Sequence, residues 1–551
     1  MAQVFSQGFP HWIGSRVIRG ATVGSVEELS EQLNYRQKQQ SATKSPAIAK
    51  ESKLLKIGNL TIPSYLEHYG FFYTGSPGSG KSQTICSNVH TILNRPNFRA
   101  VIIDRNGELL EKFYDPEKCL IFNPQDERSV LWSHRTEDVD MAMIASSLIP
   151  AENHEDQFWS ESAIRLLTTI FEVAKTNAGV YELLSESNKD LADKFPDLDW
   201  MKTADRTGAC VIATARAYLS FYRDLPDEGE PFSFFRWASG NDPRSLIIPL
   251  FTEDIDRYKA LVTMAIRQVL KGLIANEEGR EIQTAVIIDE LGALYPLNEL
   301  LDVLAQGRKF KTCFIGATQT LSQLKKVYGK EGVDILLQTV RTKLILNCPD
   351  YDSAEVLAKC IGVQERVDIL RSVNIQGEMS YAESRHESYA VHPSEIQQLP
   401  PLTGYVHISE GLPTALVSIQ PVNYPARALR RIPRMDMHNH FEKQTPAHSG
   451  VAKTFSSVEE YLTLYLFEEF LRLYIAVRHV KDALSKGILR LSEYKPRTPD
   501  LRSRVYKHWQ HAMTCQSITE LMRSNPNRQI VVIENMMKKL LSEVLPQKDL
   551  G

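Results

Sequence analysis

Residues 70–93 read GFFYTGSPGSGKSQTICSNVHTIL, and this stretch decides the fold. A short apolar run ends in Gly75-Ser76-Pro77-Gly78-Ser79-Gly80-Lys81-Ser82, which satisfies the phosphate-binding pattern GxxxxGK[ST] in full. Residues of helical period follow from Gln83. A strand, a glycine-rich turn and a helix in that order gather backbone N–H groups and a helix N-terminus around an anion. Lys81 is spaced to reach the β and γ phosphate oxygens, and the Ser82 hydroxyl to ligate Mg2+. Gly75 to Ser82, with Gln83 after them, are therefore the candidate ATP-binding residues. A Gly/Ser turn fitting the pattern by chance would lack the strand and helix that coincide here.

A nucleotide hydrolase also needs acidic groups beside the phosphates, and TAVIIDEL (284–291) supplies them at the end of an apolar run. Asp289 is expected to hold Mg2+, directly or through water. Glu290 is expected to orient or deprotonate the attacking water, with the phosphate loop on a neighbouring strand. Arg308, in LAQGRKFKTCFIGATQT, is the candidate cation for the γ-phosphate of an adjoining subunit in a ring. Taken alone it reads equally as a solvated helix-end arginine beside Lys309 and Lys311. Gln319, closing the next apolar run, is a candidate γ-phosphate sensor or water-positioning group.

Further apolar runs at 100–107, 244–251, 312–319 and 342–349 alternate with stretches of helical period such as Gln157–Lys175 and Lys259–Ala275. That alternation predicts an α/β fold, a mainly parallel sheet covered by helices on both faces. Residues 53–176 and 237–425 form its two parts. Between them, 177–236 has no comparable strand run and reads as a small all-helical insertion. Residues 1–52 are polar and Gln/Ser-rich, an N-terminal arm with one helix over Val26–Gln37. Residues 426–455, rich in Pro, His and basic side chains, read as a linker to a helical C-terminal domain over 456–551.

The formal net charge is −3, so an external DNA-coating surface is not expected and any DNA contact must be local. Residues 451–551 carry a positive excess against an acidic remainder, which sets the tail apart. Seven scattered cysteines show no metal-binding spacing. The most apolar segment, Tyr461–Val477, is short and holds Glu468, Glu469 and Arg472, so it predicts a buried or interface helix rather than a membrane span. No NKxD motif stands at the spacing a regulatory GTPase requires; Asn188-Lys189-Asp190 is misplaced.

The motif order resembles the TrwB/TraD/TraG coupling proteins of type IV secretion. GSPGSGKS is followed by VIIDRNGELLEKF with Asp104 and Gly107, by Asn123-Pro124 and Trp132, and by DQFWSESAIRLLTTIFE. Then come IIDELGALYPLNELLDVLAQGRKFKTCFIGATQTLSQLKKVYG and HPSEIQQLPPLTGYV. The likeness covers about residues 53–422. It implies a RecA-like P-loop ATPase domain with a small all-helical insertion, a homo-hexameric ring, and DNA moved through the ring channel toward a membrane channel. Relaxase or relaxosome proteins and secretion-channel components are the implied partners. Lys81, Ser82, Asp289, Glu290, Arg308 and Gln319 take the family roles on the same matching. The transmembrane helices most members carry before the ATPase domain are not visible. A cytoplasmic chain, peripheral to the bacterial inner membrane and docked on a separate membrane protein, is expected. An FtsK- or HerA-like DNA pump of another pathway and a docking platform for protein cargo are the rival readings.

Overall fold

Side-chain alternation within the apolar runs gives the central sheet two buried faces. In strand Phe98–Arg105, Val101 and Ile103 join a core with the helices Met141–Leu148, Gln157–Val173 and Ile255–Ala275, while Ala100 and Ile102 join the opposite core with helix Lys81–Leu93. Val286 and Ile288 divide from Ala285 and Ile287 in the same way. Strands buried on both faces carry continuous apolar runs, which is why the sequence shows them so plainly.

The computed structural model describes residues 11–42, 54–137, 139–150, 157–195, 205–275, 281–307, 309–373 and 379–434. The chain divides into two compact units, 1–444 and 445–551. The described residues all lie in the first. The expected domain over 456–551 and linker residues 435–455 lie outside them.

Among the described residues the main sheet runs in the order Val23–Gly24, Thr414–Ser418, Thr403–Ile408, Thr342–Ile345, Phe71–Thr74, Thr312–Thr318, Gln283–Ile288, Phe98–Arg105, Ser245–Leu250, Cys119–Ile121. From Thr342–Ile345 to Cys119–Ile121 every pairing is parallel. The acidic strand Gln283–Ile288 is not next to the phosphate-loop strand as expected: Thr312–Thr318 lies between them and pairs with both. Both strands are equally apolar, so neighbour order could not be taken from their composition.

Two differences concern the N-terminal residues. Val23–Gly24 pairs with the sheet edge, and the following helix Val26–Ala42 buries Leu29 and Leu33 in the core that holds Leu60 and Leu412. His11–Gly20 pairs antiparallel with Val363–Val373, which pairs with Met379–Tyr389 in a separate three-stranded sheet. The expected arm is thus partly built into the fold, by partners more than 300 residues away that local pattern does not reveal. Residues 426–434, expected to open a linker, also hold fixed contacts. Arg427 and Ala428 donate N–H groups to the Glu111 carbonyl, Arg430 pairs with Glu111 at 2.8 Å, and Arg431 pairs with Asp254 at 2.9 Å.

Helical structure on one face begins at Met141, and the excursion is closed where Leu131–Trp132 pairs with Pro231–Phe232. Glu137 ties this closure together. Its buried carboxylate accepts from Trp132 Nε1 (2.9 Å), Ser233 Oγ (2.7 Å), Phe234 N (2.9 Å) and Phe235 N (3.1 Å). Removing it strands three buried donors and a half-buried fourth, so Glu137→Ala should destabilise the protein by about 3 kcal/mol. A thermal unfolding midpoint equal to that of the wild type would contradict this role.

Candidate nucleotide site

Phe71–Thr74 is fully buried and delivers the chain into the turn 75–80 at the C-terminal edge of the sheet. The turn is fixed from outside: Ser76 N donates to Asn347 O (2.7 Å), Ser76 Oγ to Asn347 Oδ1 (3.0 Å), and Ser79 Oγ back to Ser76 O (2.6 Å). Pro77 stands in its middle. Gly78 takes φ +77°, and a Cβ there would meet nothing within 4 Å, so the loop's mouth is open at this residue. Helix Lys81–Leu93 starts at once behind it, with Ser82 exposed in its first turn and Gln83 half-buried. The buried Lys81 ammonium donates to the Gly75 carbonyl, folded over the cradle that an anion's oxygens would fill. Burial pushes its pKa below the usual lysine value, against the pull of Glu290 and Asp289.

The acidic strand ends beside it. Glu290 is 3% exposed, and its two oxygens accept from Thr318 Oγ1 (2.9 Å) and from the Gln319 backbone N–H (3.2 Å). The intervening strand therefore aims the catalytic candidate rather than merely separating it from the loop. Burial raises the Glu290 carboxyl, opposed by the Thr318 bond and the Lys81 and Arg105 charges. Asp289 follows Ala285 and Ile287 on the face of helix Lys81–Leu93, the side of Ser82. Burial first, then the Glu290 charge, pushes it up to about 6. Two hard oxygen donors of this kind suit Mg2+ with a phosphate completing the shell.

Gln319 comes to the site through its backbone. Arg308 lies outside the described residues. Its chain neighbours Gly307 and Lys309 precede strand Thr312–Thr318, and Thr312 N donates to Gly307 O, so they sit at the opposite edge of the sheet from the phosphate loop.

The sequence profile of the type IV secretion-system coupling protein DNA-binding domain matches residues 54–420. The chain belongs to that family. Coupling protein TraD of Escherichia coli (strain K12) is 26% identical over 440 residues, covering 74% of this chain and 60% of TraD. The chain thus spans about 60% of the length of the curated relative it matches. Among solved structures, the conjugative coupling protein TrwBdeltaN70 in its unbound monoclinic form has TM-score 0.64 and 23% identity, covering 78% of this chain and 98% of that one. TrwB in complex with the ATP analogue ADPNP has TM-score 0.63 at 22% identity, over 78% of this chain and 100% of that one. TrwB with ADP and Mg2+ has TM-score 0.62 at 22% identity, over 77% and 100%. At these identities the structures establish a shared fold, that of a P-loop NTPase with a largely parallel sheet. Among the described residues no helix is long and apolar enough to cross a membrane.

In this coupling-family chain the site has an acidic member that the sequence-based candidate set omits. VIID occurs twice, at 101–104 and 286–289, and the two copies lie in register on adjacent strands, Val101 against Val286 and Ile103 against Ile288. Asp104 is thereby set beside Asp289. It is fully buried, one oxygen accepts from Leu110 N (2.7 Å), and the other has no protein partner. The repeated tetrapeptide was the signal that could have found it. Thr318 was visible only as a neighbour of Gln319, and Asn347 carried no signal.

Burial drives the Asp104 pKa up to about 7, with the Asp289 charge adding to it and the Leu109 and Leu110 N–H groups opposing it. A raised folded-state pKa means that stability from this group is complete below about pH 4 and is lost as pH rises through about 7. Asp104→Asn should therefore stabilise the metal- and nucleotide-free protein on the order of 2 kcal/mol at pH 8, and much less at pH 5. Thermal midpoints that shift equally at both pH values would contradict a buried ionisation.

Proposed function

We propose that the chain is an ATP-driven DNA translocase acting as a conjugative coupling protein, with subunits joined in a hexameric ring. The observation that carries the reading is the split between the two edges of one sheet. Lys81, Asp289 and Glu290 gather at the C-terminal edge, and the neighbours of Arg308 lie at the N-terminal edge. The seven residues of Thr312–Thr318 span ~20 Å at ~3.3 Å per residue, which sets Gly307 and Lys309 far from their own subunit's phosphate loop. Arg308 then acts on the next subunit, which makes a closed ring the working unit. TrwB, whose fold this chain shares, has been solved with an ATP analogue and with ADP and Mg2+, in keeping with ATP and Mg2+ as the ligands here.

Each side chain then has a role set by its surroundings. Lys81 leaves the Gly75 carbonyl for the β and γ phosphate oxygens. Ser82 and Asp289 hold Mg2+, which when bound offsets the charge that builds up on the phosphates. Glu290, kept in one orientation by Thr318 and the Gln319 N–H, takes the proton of the attacking water. Burial raises its pKa, which strengthens it as a base. Gln319 is carried on the strand end bonded to Glu290, so a γ-phosphate at its side chain is felt at the base. A ring also explains how a chain of net charge −3 grips a polyanion, since a few cations per subunit are multiplied sixfold around the channel. Relaxase or relaxosome proteins and a membrane-embedded channel complete the route, with this chain at the inner face of the membrane.

Glu290→Gln and Lys81→Ala should each lower DNA-stimulated phosphate release by at least about a hundredfold, and Glu290→Gln alone should still bind ATP. Hydrolysis retained in Glu290→Gln would remove it from the role of base. Arg308→Ala should be inactive alone yet regain part of its activity when mixed with Lys81→Ala, because one hybrid boundary keeps both groups. ATP turnover indifferent to DNA, together with capture of protein cargo, would favour the docking platform instead.

A further inference from the structure

The register that sets Asp104 beside Asp289 makes a second pair one residue further on. Val101 lies against Val286 and Ile103 against Ile288, and the Asp289 N–H donates to the Ile103 carbonyl (3.2 Å), so Arg105 comes opposite Glu290. On the other side of the acidic strand Ile288 pairs with Gly316, which sets Thr318 opposite Glu290 there. Alternation puts Arg105 on the face of Val101 and Ile103, the face that Glu290 shares with Val286 and Ile288. Thr318, Glu290 and Arg105 thus form one row across three strands, at a strand spacing of ~4.8 Å.

The two ends of that row differ. Thr318 Oγ1 and the Gln319 N–H occupy the two Glu290 oxygens. Arg105 is half-buried and, among the described residues, has no hydrogen-bond or ion-pair partner. Arg430 and Arg431, by contrast, are committed to Glu111 and Asp254. The strand end that carries Arg105 is nevertheless stiff. Asn106 takes φ +65°, its N–H donates to Leu250 O (3.2 Å), and its Oδ1 accepts from Thr252 N (3.1 Å) and Thr252 Oγ1 (2.8 Å). Lys81 and Arg105 both bear on the Glu290 and Asp289 charges, Lys81 from the phosphate-loop side and Arg105 from the strand beyond. A γ-phosphate in front of Glu290 would bring its negative charge against Asp104, Asp289 and Glu290 together. A fixed cation with an uncommitted guanidinium on the far side of that group suits its oxygens.

We propose that Arg105 is a catalytic residue of its own subunit's site, closing on the γ-phosphate from the side opposite Lys81. The proposal rests on the nucleotide reading above and adds a cation in cis to Arg308 in trans. As the water oxygen bonds to the γ-phosphorus, the bond from that phosphorus to the bridging oxygen breaks, and its electron pair leaves with ADP. The water proton passes to Glu290. Arg105 makes and breaks no covalent bond; its planar fork holds γ oxygens while charge spreads over them.

The test assays the full chain, with Mg2+ and DNA, for phosphate release and titrates it calorimetrically with ADPNP and ADP. Arg105→Gln strands no protein partner, so its thermal midpoint should match wild type. Its turnover should fall about a hundredfold and its ADPNP affinity about tenfold, with ADP within about twofold of wild type, because ADP lacks the phosphate that Arg105 holds. Arg105→Lys, which keeps the charge without the fork, should recover about tenfold of the lost turnover. Mixing Arg105→Gln with Lys81→Ala should restore nothing, since no subunit of a hybrid ring has both groups, whereas Arg308→Ala in the same mixture regains activity. Restored turnover with Arg105→Gln would assign Arg105 to the neighbouring site and overturn the proposal. Unchanged ADPNP affinity overturns it by confining Arg105 to Glu290, and ADP affinity falling in step with ADPNP overturns it by making Arg105 a prop for the strand end. A wild-type chain that binds neither nucleotide overturns the nucleotide reading itself, a pattern distinct from all of these.

Discussion

Two identical tetrapeptides held in register on neighbouring parallel strands are the constraint from which the site grows. Because Val101–Ile103 and Val286–Ile288 pair residue for residue, Asp104 and Asp289 emerge side by side under the phosphate-loop helix. Like charges so close and so buried are unfavourable, and the fold answers with the Leu109 and Leu110 N–H groups on one and Lys81 near the other. The remaining imbalance is what a divalent cation would relieve. A slip of one residue in either strand would send its own carboxylate to the opposite face and dismantle the arrangement.

The strand between the acidic strand and the loop gives the site its linkage. Thr318 and the Gln319 N–H grip Glu290 from one side, while the same strand pairs with Phe71–Thr74 on the other. Its far end leads back to Gly307 and the neighbourhood of Arg308. One stiff element therefore joins the orientation of Glu290 to the opposite edge of the sheet. Shifts at one end can be transmitted to the other without any flexible intermediary.

Much of this was legible. The phosphate loop, the apolar runs and the acidic strand end are local patterns, and local patterns survive in a sequence read alone. Neighbour order was not, because Thr312–Thr318 and Gln283–Ile288 are equally apolar and either could have flanked the loop. His11–Gly20 was missed because its amphipathic signal is weak and its partner, Val363–Val373, is remote. The basic stretch 426–434 looked like solvated linker, since sequence shows Arg430 and Arg431 but not the Glu111 and Asp254 that receive them.

That last stretch determines where the molecule can be cut. Asp126 is fully buried; Arg128 pairs with it inside its own turn, and from beyond that turn it accepts the Ile432 N–H. Arg431 meanwhile stacks 4.0 Å from the Phe251 ring centroid and closes over Gln125. A truncation placed at the end of the last strand, where the sheet seems complete, would strip these acidic groups of partners they need to stay buried. The packed part of the first unit therefore runs past its last strand to at least Arg434, whose N–H donates to the Gln125 carbonyl at 3.1 Å.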